Sequence, residues 1–495
     1  MKSYRPIRSS VSRRQFLKTT AASATVLGLS TQFLPAHAQG ANERVGVAVI
    51  GLGGQGNFHA QTYQSRDDAE VLYVVDADRK RAEAAKKRLE EKFQATPRAL
   101  QEVRQALEDA SVDAISIATC NHWHALMTVW GCQAGKHVYV EKPCSHTLWE
   151  GRQCVNAAKK YNVCIQHGTQ RRSDANWYLA AAAFRSGKYG KPTAVEAFAH
   201  RPRTGLGFKP TTTPPEWLDW NLWVGPSAML PYHGNLVPYN WHWFWNFGNG
   251  EIGNNGPHHF DMCRLALGDP HQHPTKVFSW GTRVWPGEKG NFVTDQAETP
   301  NVQAACYLFG EIPCYFAACN LRSANWIPRE TAFFHTDEGY VTNEGGPVFV
   351  AKDGSKTKIG TVEGTLSLPQ PGGAFGNFLQ CVKENAPEKL NAPIEEGHYS
   401  TAMCHLGNLS YRLGRKATWE ECCQAMNNEM RERAEAILDN VGAVLEGCDV
   451  RKELSFVAGE TISISNETET FSQPQADALL TKPPREPFVV PEVRL

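Results

Sequence analysis

The sequence predicts an α/β fold, in which a doubly wound parallel sheet is followed by an α+β domain with a large, open, mostly antiparallel sheet. Two observations favour this fold class. Between residues 45 and 167, short apolar runs alternate with helical patterns at the spacing of βαβ units. After residue 194, apolar runs follow one another with few helical patterns between them, which favours antiparallel pairing. A chain of 495 residues is also too long for one core.

The first half of the chain alternates strands with helices in order. Predicted strands cover 45–50, 70–75, 112–118, 137–140 and 163–167, and predicted helices cover 57–65, 79–93, 100–109, 125–134 and 147–161. Gly135-Lys136 marks the stop of one of these helices. Because parallel strands need crossover helices, this alternation predicts the doubly wound sheet.

The second half begins with a helical pattern over 177–186, after which the period changes. Predicted strands follow at 194–200, 276–284, 302–309, 312–320, 330–335 and 339–342, and predicted helices at 375–384, 400–413 and 425–446. From about residue 465 the chain is proline-rich and polar, which is typical of a tail that packs on the surface or is disordered.

The first strand runs directly into a glycine-rich turn, Gly51-Leu52-Gly53-Gly54-Gln55-Gly56, and a helical pattern follows. In this context Gly51 allows the tight turn, Gly53 admits a pyrophosphate, and Gly56 lets the helix pack against the strand. The helix N-terminus attracts the phosphate charge. The turn therefore predicts a dinucleotide site, with a chance glycine turn as the alternative.

The second strand ends at Asp76, at about the spacing from the glycine turn that a dinucleotide site requires. A carboxylate here can accept both hydroxyls of the ribose and would repel a 2′-phosphate. This favours NAD over NADP, although Arg79 lies close enough in sequence to weaken the preference.

Polar residues also follow the later parallel strands. The stretch 119–124 follows one strand, Glu141-Lys142-Pro143 follows the next, and Gln170-Arg171 follows the last. Because ligands bind beyond the carboxyl ends of parallel strands, we expect these residues to meet Asp76 in one cleft. His122 and His124 could serve a metal, but no third ligand stands at usable spacing, so we predict no metal site.

Composition narrows the class of partner. The 51 basic and 51 acidic residues balance, which gives no indication of nucleic acid as a partner. The 14 cysteines contain no C-x-x-C pair, and the sequence does not fix any disulfide pairing.

The first 38 residues have the pattern of an export signal. Arg13-Arg14 begins a twin-arginine signature, a weakly apolar run covers 19–34, and Ala36-His37-Ala38 fits a small-x-small cleavage site. The run is too short and too polar for a stable membrane span. We expect a Tat signal cleaved near Ala38, the Tat export machinery as a partner and a periplasmic protein. A disordered basic leader and a membrane anchor are the alternatives.

Several motifs together resemble the Gfo/Idh/MocA family, the glucose–fructose oxidoreductase and inositol dehydrogenase group. They are the glycine turn 51–56, the turn 119–124, the triplet Glu141-Lys142-Pro143 and the block 254–261. The aromatic stretch 239–250 looks like an exported subgroup of the family. The resemblance covers most of residues 44–415 and says little about the substrate.

The resemblance implies an N-terminal Rossmann domain and a C-terminal substrate domain whose sheet often pairs subunits. We therefore expect a Tat signal over 1–38, a NAD-binding Rossmann domain over 41–170, an α+β substrate and oligomerisation domain over 171–464, and a polar tail over 465–495. A homo-oligomer is expected on the same ground.

The resemblance also implies the catalytic pair. Lys142 would take the proton of a substrate hydroxyl beside the nicotinamide, which requires burial and the cofactor charge to lower its pKa. His258 would act as acid/base or substrate ligand. The family pattern has an aspartate four residues earlier, where this chain has Asn254, which cannot take up a proton. Asp261 is then the candidate to support His258. A surface lysine and a capping or core histidine are the alternatives.

The remaining site predictions combine the glycine motif and the strand-end positions with this resemblance. The predicted cofactor contacts are Gly51, Leu52, Gly53, Gln55, Gly56, Asp76, Thr119, Asn121, His124, Glu141 and Lys142. The predicted substrate contacts are Arg171, Asn254, Asp261, Trp241 and His242. A solvated interdomain salt bridge is the alternative for Arg171, and ordinary packing is the alternative for Trp241 and His242.

These residues predict a periplasmic NAD(P)-dependent oxidoreductase that transfers a hydride between a sugar or polyol hydroxyl and a tightly bound cofactor. The Tat route moves folded proteins, so the cofactor would travel with the chain. A redox-neutral glycosidase or lyase that acts through a keto sugar is the first alternative. It would need an additional base such as Tyr232, Tyr239 or His242. A non-catalytic sugar-binding protein with a structural NAD is the second.

Overall fold

The structure is a computed structural model that describes residues 44–287, 292–323, 331–343, 345–360, 367–430, 434–447, 455–471 and 473–495. The predicted export signal lies outside these residues. Within the described ranges, each helix is too short or too polar to cross a bilayer. The 13 cysteines that the structure describes are all free thiols.

A six-stranded parallel sheet in the order β3-β2-β1-β4-β5-β6 forms the first domain. Its strands are β1 (Val45–Ile50), β2 (Ala69–Val75), β3 (Arg98–Leu100), β4 (Ala114–Ile117), β5 (His137–Val140) and β6 (Ile165–His167). The strand order reverses between β1 and β4, which opens a crevice at their carboxyl ends. The predicted doubly wound sheet is confirmed.

Five helices connect these strands: α1 (Gly54–Gln64), α2 (Arg79–Phe93), α3 (Arg104–Leu107), α4 (Asn121–Gln133) and α5 (Leu148–Tyr161). The helix predicted over 100–109 is wrong in part, because the chain there forms the edge strand β3 and a single turn. The start of α4 also differs from the prediction. Cys120 has extended backbone and caps the helix, so residues 121–124 form its first turn instead of a loop.

The second domain is built on a ten-stranded sheet in the order β16-β15-β14-β13-β7-β12-β11-β8-β18-β17. Strands β7 and β12 pair in parallel and the other neighbours are antiparallel, which confirms the predicted, mostly antiparallel sheet. Its strands are β7 (Pro192–His200), β8 (Lys276–Thr282), β11 (Val302–Phe309), β12 (Ile312–Cys319), β13 (Thr331–Thr336), β14 (Gly339–Asn343), β15 (Pro347–Ala351), β16 (Lys356–Lys358), β17 (Arg415–Ala417) and β18 (Phe456–Ala458). A separate ribbon pairs β9 (Trp285–Pro286) with β10 (Phe292–Val293).

The helices of the second half are α6 (Ala175–Arg185), α7 (Trp220–Val224), α8 (Gly250–Leu267), α9 (Gly373–Glu384), α10 (Ile394–Arg412), α11 (Trp419–Met430), α12 (Ala434–Gly447) and α13 (Pro474–Asp477). Helix α8 contains Pro257, although proline ordinarily occupies the first turn of a helix. Helix α8 begins at Gly250 and runs through Pro257, because residues 250–257 are buried in the interior of the protein.

The C-terminal segment, residues 473–495, packs on both domains, and its last part lies against the first domain. The side chains of Phe488, Val490 and Val493 are buried in the same apolar cluster as β4, β5 and α4. The Val493 backbone N–H donates to Gln153 of α5 at 2.8 Å. The two ends of the described chain therefore meet in one domain.

Candidate cofactor and substrate pocket

One pocket of about 520 Å³ lies between the two domains, at the carboxyl ends of the parallel strands. The first domain contributes most of the predicted cofactor residues to its wall: Gly51, Gly53, Gln55, Asp76, Thr119, Asn121, His124, Glu141 and Lys142. The second domain contributes Trp241, His242, Asn254 and His258. The structure thus brings residues from both halves of the chain to one place.

The glycine turn 51–56 is shaped by two close approaches. Gly51 has a φ of 84°, and a Cβ at Gly56 would lie 1.7 Å from the carbonyl oxygen of Gly51. Neither position tolerates a side chain. At Gly54, by contrast, a Cβ would meet nothing within 4 Å. The backbone at 53–54 therefore faces open pocket, which leaves room for a ligand to approach it.

Helix α1 begins at this turn without a side-chain cap and without an acidic residue in its first turn. Its first N–H groups are therefore available to an anion, as a pyrophosphate site requires. The pocket wall also holds a buried acceptor, Asn121 Oδ1, that has no hydrogen-bond partner among the described residues. Both features fit a dinucleotide in the pocket.

Asp76 follows β2 directly and accepts two backbone hydrogen bonds, from Leu52 N at 2.7 Å and from Asp78 N at 2.9 Å. Burial raises the pKa of Asp76. A carboxylate has about four acceptor positions, so it can still take ribose hydroxyls. Leu52 itself does not line the pocket, and it acts through this backbone contact.

The arginine near Asp76 is not the one that the sequence indicated. Arg79 is exposed, and its backbone N–H donates to Trp217 O at 2.9 Å. Arg81, two residues further along α2, lines the pocket, and its Nε lies 3.9 Å from Asp78 Oδ2. The helical spacing of α2 turns Arg81 towards the glycine turn and Arg79 away from it.

Replacing Asp76 with asparagine tests its role in cofactor choice. We expect the affinity for NADH to fall about tenfold, or about 1.4 kcal/mol, because a charge-assisted contact to ribose is lost. The affinity for NADPH should fall less, because repulsion of the 2′-phosphate is removed. Fluorescence titration of the apo protein measures both. An unchanged NADH to NADPH affinity ratio would contradict the assignment, and Arg79→Ala is the matched control on the exposed face.

Lys142 follows β5 and reaches the second domain. Its Nζ donates to the backbone oxygen of Asn254 at 2.5 Å and lies 3.5 Å from Asn254 Oδ1. Burial lowers the pKa of Lys142, while the charge of Glu141 opposes that shift. Because burial and the charge of Glu141 act in opposite directions on this pKa, the Lys142 amine can hold or release a proton at the pocket wall.

Glu141 is buried, and its Oε1 accepts hydrogen bonds from Gln55 at 3.0 Å, Gln170 at 3.0 Å and His59 at 3.1 Å. Burial acts to raise the pKa of Glu141, but the hydrogen bond from His59 and the nearby positive charges lower it to about 2. The carboxylate next to Lys142 is therefore ionised.

His59 is a site residue that the sequence analysis missed. It is fully buried on the face of α1 that also buries Gly56, Ala60 and Tyr63. This i, i+3, i+4, i+7 spacing was visible in the sequence. A histidine among small and apolar residues on such a face was the signal that could have found it.

His258 lines the pocket from α8. Burial lowers its pKa well below the ordinary value, and the charge of Lys142 adds to that shift. None of the described residues forms a hydrogen bond with its imidazole. A neutral ring with both nitrogens available can donate to one hydroxyl of a polyol and accept from another.

Asp261 does not support His258, so that prediction is wrong. Its carboxylate is fully buried and accepts from Arg172 Nε at 2.8 Å and from Ser400 Oγ at 2.7 Å. A buried carboxylate needs such a cation, and Arg172 supplies it from the link between the domains. Asp261 is therefore excluded from contact with substrate as well.

Arg171 also lies outside the pocket. Its guanidinium stands over the ring of Trp177 at 5.6 Å and its Nη1 lies 3.2 Å from His259 Nδ1. The arginine that the second domain contributes to the pocket is Arg201, which follows β7. Arg201 carried no signal in the sequence, because the end of a strand in a mostly antiparallel sheet gives no general expectation of a site.

The aromatic residues of the pocket come from the stretch before α8. The His242 ring stacks on Trp241, and His242 Nδ1 donates to the Tyr239 carbonyl at 2.6 Å. Burial lowers the pKa of His242 to about 3. His242 is therefore a neutral hydrogen-bonding group. Tyr232 packs edge-on against Trp220 and does not line the pocket.

His122 and His124 are each held between two backbone carbonyls. His124 lies 2.6 Å from Pro143 O and 3.1 Å from Thr119 O, and its ring borders the pocket. His122 lies 3.2 Å from Phe247 O and 3.0 Å from Trp223 O. Burial lowers the pKa of both histidines, so each neutral ring donates its one N–H to one of its two carbonyls. These hydrogen bonds fix α4 to its neighbours.

A different cluster, His273, His398 and Glu469, has the spacing of metal ligands, with its ligand atoms within 4.8 Å of one another. Arg152 donates to both oxygens of Glu469, at 2.7 and 2.9 Å. The guanidinium already occupies the place of a cation beside the carboxylate. The cluster is therefore better described as an ion-pair network that fixes residue 469 to α5 and α10.

Two segments of the chain match models of one oxidoreductase family. Residues 45–169 match the family model of an oxidoreductase family with a NAD-binding Rossmann fold, and residues 201–281 match its C-terminal alpha/beta domain. Myo-inositol 2-dehydrogenase of Thermotoga maritima is 29% identical over 156 residues, which covers 32% of this chain and 45% of that protein. Scyllo-inositol 2-dehydrogenase (NAD(+)) of Bacillus subtilis is 32% identical over 157 residues, which covers 31% of this chain and 44% of that protein.

The chain thus spans less than half the length of these curated relatives. Among solved structures, the WlbA dehydrogenase from Bordetella pertussis, in complex with NADH and UDP-GlcNAcA, superposes with a TM-score of 0.52 at 17% identity. The superposition covers 74% of this chain and 97% of that one, and it shows the fold. The two matched segments fall in the two domains that form the pocket, and residues 45–169 match the NAD-binding Rossmann domain of the Gfo/Idh/MocA oxidoreductase family.

Proposed function

We propose that this protein is a NAD-dependent oxidoreductase that acts on a hydroxyl group of a sugar or polyol. The observation that carries the proposal is the position of Lys142. Its Nζ lies in the same pocket as the glycine turn and is held by Asn254 of the second domain at 2.5 Å. A base at the end of β5 and a dinucleotide cradle at the end of β1 thus share one cavity.

NAD bound in this pocket supplies a hydride acceptor. The residues suited to hold it are those of the turn 51–56, Asp76 for the ribose, and Asn121 and His124 on α4. The volume, the uncapped helix and the unpartnered Asn121 oxygen fit such a ligand.

The chain's own residues then handle the proton. Burial favours the neutral amine of Lys142, and this amine accepts the proton of the substrate hydroxyl. The Asn254 oxygen keeps Nζ in place before and after the transfer, and the charge of Glu141 stabilises the ammonium that forms. His258, as a neutral imidazole, orients neighbouring hydroxyls.

The substrate class is supported by the relatives, whose names include inositol dehydrogenases. The test is to add a panel of polyols and sugars to NAD-loaded protein and to measure NADH absorbance and keto products. Appearance of NADH together with a keto product of intact linkage supports the proposal. Failure of the whole panel, with NAD bound, would count against it.

The pocket also supports a retained cofactor. Leu218, Leu222 and Trp223, which lie in and next to α7, line the pocket from the second half of the chain. The Asp219 backbone donates to Ala77 O at 3.0 Å, which fixes this wall to the first domain. The C-terminal segment reinforces it, because Arg485 donates to the carbonyl of Gly225 at the end of α7. We propose that NAD(H) stays bound between turnovers.

Replacing Arg485 with alanine tests this retention. We expect NADH to leave the protein about tenfold faster, because α7 loses its hold on the first domain. Stopped-flow fluorescence with excess NAD⁺ as a trap measures the release. Arg494→Ala is the matched control, since Arg494 is exposed and pairs with Glu492 at the chain end. Equal release rates in the two variants would contradict the role of the segment.

The redox-neutral alternative remains the second candidate, since Tyr239 and His242 do line the pocket. The low pKa of His242 makes it a poor base. This favours the main proposal, in which the hydride passes from the substrate to NAD without a later elimination step. Products separate the two. A glycosidase or lyase would break a linkage without net NADH, whereas a dehydrogenase releases a keto sugar with its linkage intact.

Two further parts of the proposal concern the cell and the assembly. We propose a periplasmic location, supported by the twin-arginine pattern in residues 1–38, and a homo-oligomer, supported by the wide sheet of the second domain. Cell fractionation with and without Arg13→Lys/Arg14→Lys tests the first. Sedimentation analysis of the purified protein tests the second, and a monomer would contradict it.

A further inference from the structure

We propose that His59 is a positioning residue for the base: by hydrogen bonding to Glu141 it keeps a negative charge fixed beside Lys142. This inference rests on the proposed function, in which Lys142 is the base. It assigns a role to a side chain that touches neither the pocket nor any reacting atom.

His59, on α1, connects β4 to the end of β5. Its Nδ1 lies 2.9 Å from Ser116 Oγ on β4, and its Nε2 lies 3.1 Å from Glu141 Oε1 at the end of β5. The rings of Tyr139 and Phe375 pack edge-on against it, with centroids at 5.3 and 5.0 Å. The imidazole is therefore held in one orientation.

The contacts also fix its tautomer. A lone pair on Nε2 would face the carboxylate oxygen and repel it, so the proton belongs on Nε2. Nδ1 then accepts from the Ser116 hydroxyl. In this arrangement His59 donates to Glu141, and Gln55, whose Nε2 lies 3.1 Å from the same ring nitrogen, donates to the carboxylate instead.

Glu141 passes this effect to the base. Its Oε2 accepts the backbone N–H of Lys142 at 3.2 Å, which aims the carboxylate at that residue. Burial alone would raise the pKa of Glu141, and the hydrogen bond from His59 is the foremost of the effects that lower it to about 2. Without His59, the buried carboxyl group would retain a proton more readily and exert less charge on Lys142.

Other groups face this pair, and they leave Glu141 as the main anion. The titratable and charged groups that act on Lys142 are Glu141, Arg201, Glu251, Cys404, His124, His242, His258 and His259. Those near Glu141 are His59, Tyr63, His124, Tyr139, Lys142, His167 and His258. Glu251 already pairs with Arg203 at 3.0 Å, so its charge is offset.

The test measures the protonation of the Lys142 amine in the absence of substrate. Competitive acetylation of the NAD-loaded protein across pH, read by mass spectrometry of the Lys142 peptide, gives the midpoint at which this amine becomes reactive. His59→Asn keeps an amide near the Nδ1 position and loses the donor to Glu141. His59→Gln places its amide nitrogen near the Nε2 position. We expect the midpoint of H59N to fall by about one pH unit and that of H59Q to stay near wild type.

A second pair of variants guards against a purely structural effect. His59→Phe keeps a ring between Tyr139 and Phe375 but has no donor, so it should shift the midpoint as H59N does. In Glu141→Gln the midpoint should also fall, and the double variant H59N/E141Q should fall no further than E141Q alone. Melting temperature and bound NAD(H) verify that each variant is folded.

Two outcomes would overturn the inference. One is an unchanged Lys142 midpoint in H59N and H59F while E141Q shifts. The other is additive shifts in the double variant, which would mean that His59 acts independently of Glu141. Because the titration needs no substrate, either result stands apart from a failure of the proposed hydride transfer, which the polyol panel would show by itself.

Discussion

Replacing Lys142 with alanine is expected to lower turnover about 10²- to 10⁴-fold while the protein keeps its bound NAD(H). The loss follows from the geometry, because Nζ is held at the pocket wall by Asn254 and no other lysine lines the pocket among the described residues. Steady-state rates on the substrate that the polyol panel identifies, together with nucleotide content after denaturation, measure both quantities.

Two matched variants sharpen this prediction. Lys142→Arg keeps a cation at the site but cannot release its proton, so it should be about as inactive as Lys142→Ala. Lys159→Ala removes an exposed lysine that pairs with Glu395 and should leave turnover unchanged. A Lys142→Arg variant with near wild-type rates would show that the charge, and not proton transfer, is what the reaction needs.

Replacing Gly56 with alanine is expected to abolish cofactor retention, whereas Gly54→Ala should be tolerated by the fold. A Cβ at Gly56 would lie 1.7 Å from the Gly51 carbonyl oxygen, so the turn must open and α1 must move away from β1. At Gly54 a Cβ meets no protein atom within 4 Å. We expect G56A to purify without nucleotide and to lose about 2 kcal/mol or more of stability to the clash.

Comparing these two variants distinguishes an effect on the stability of the fold from an effect on cofactor binding. If G54A melts like wild type but binds NADH more weakly, the backbone at 53–54 contacts the cofactor directly. If G56A retains full NAD(H) and an unchanged melting temperature, the close approach of residues 51 and 56 does not exist in the protein. That result would contradict the description of the turn.

The first domain was largely predictable, because its strands and helices repeat at regular spacing and end in residues with known preferences. Helix α2 has the predicted bounds, Arg79–Phe93, because Asp78 caps it and its face is clearly amphipathic. Other element boundaries depend on tertiary packing, which the local sequence does not show. Proline is common in the first turn of a helix, yet helix α8 begins seven residues before Pro257 because residues 250–256 are buried. The edge strand β3 is too short to give a periodic signal.

The site residues likewise fall into those that the sequence could place and those that it could not. Residues at the carboxyl ends of parallel strands, such as Asp76, Glu141 and Lys142, were placed by a general rule, and the structure brings them to one pocket. Contacts that depend on the docking of the two domains had no local signal. The pairing of Asp261 with Arg172 and the reach of Lys142 to the Asn254 carbonyl are of this kind. A charged residue in sequence shows that it needs a partner but not which partner it finds.

The measurement that tests the account most directly is the nucleotide content of protein purified without added cofactor, released by denaturation and identified by mass. We expect close to one NAD(H) per chain, because the turn 51–56, Asp76 and the pocket wall around α7 form a site suited to a dinucleotide. An empty pocket in a folded protein that also fails to bind added NAD(H) would contradict it.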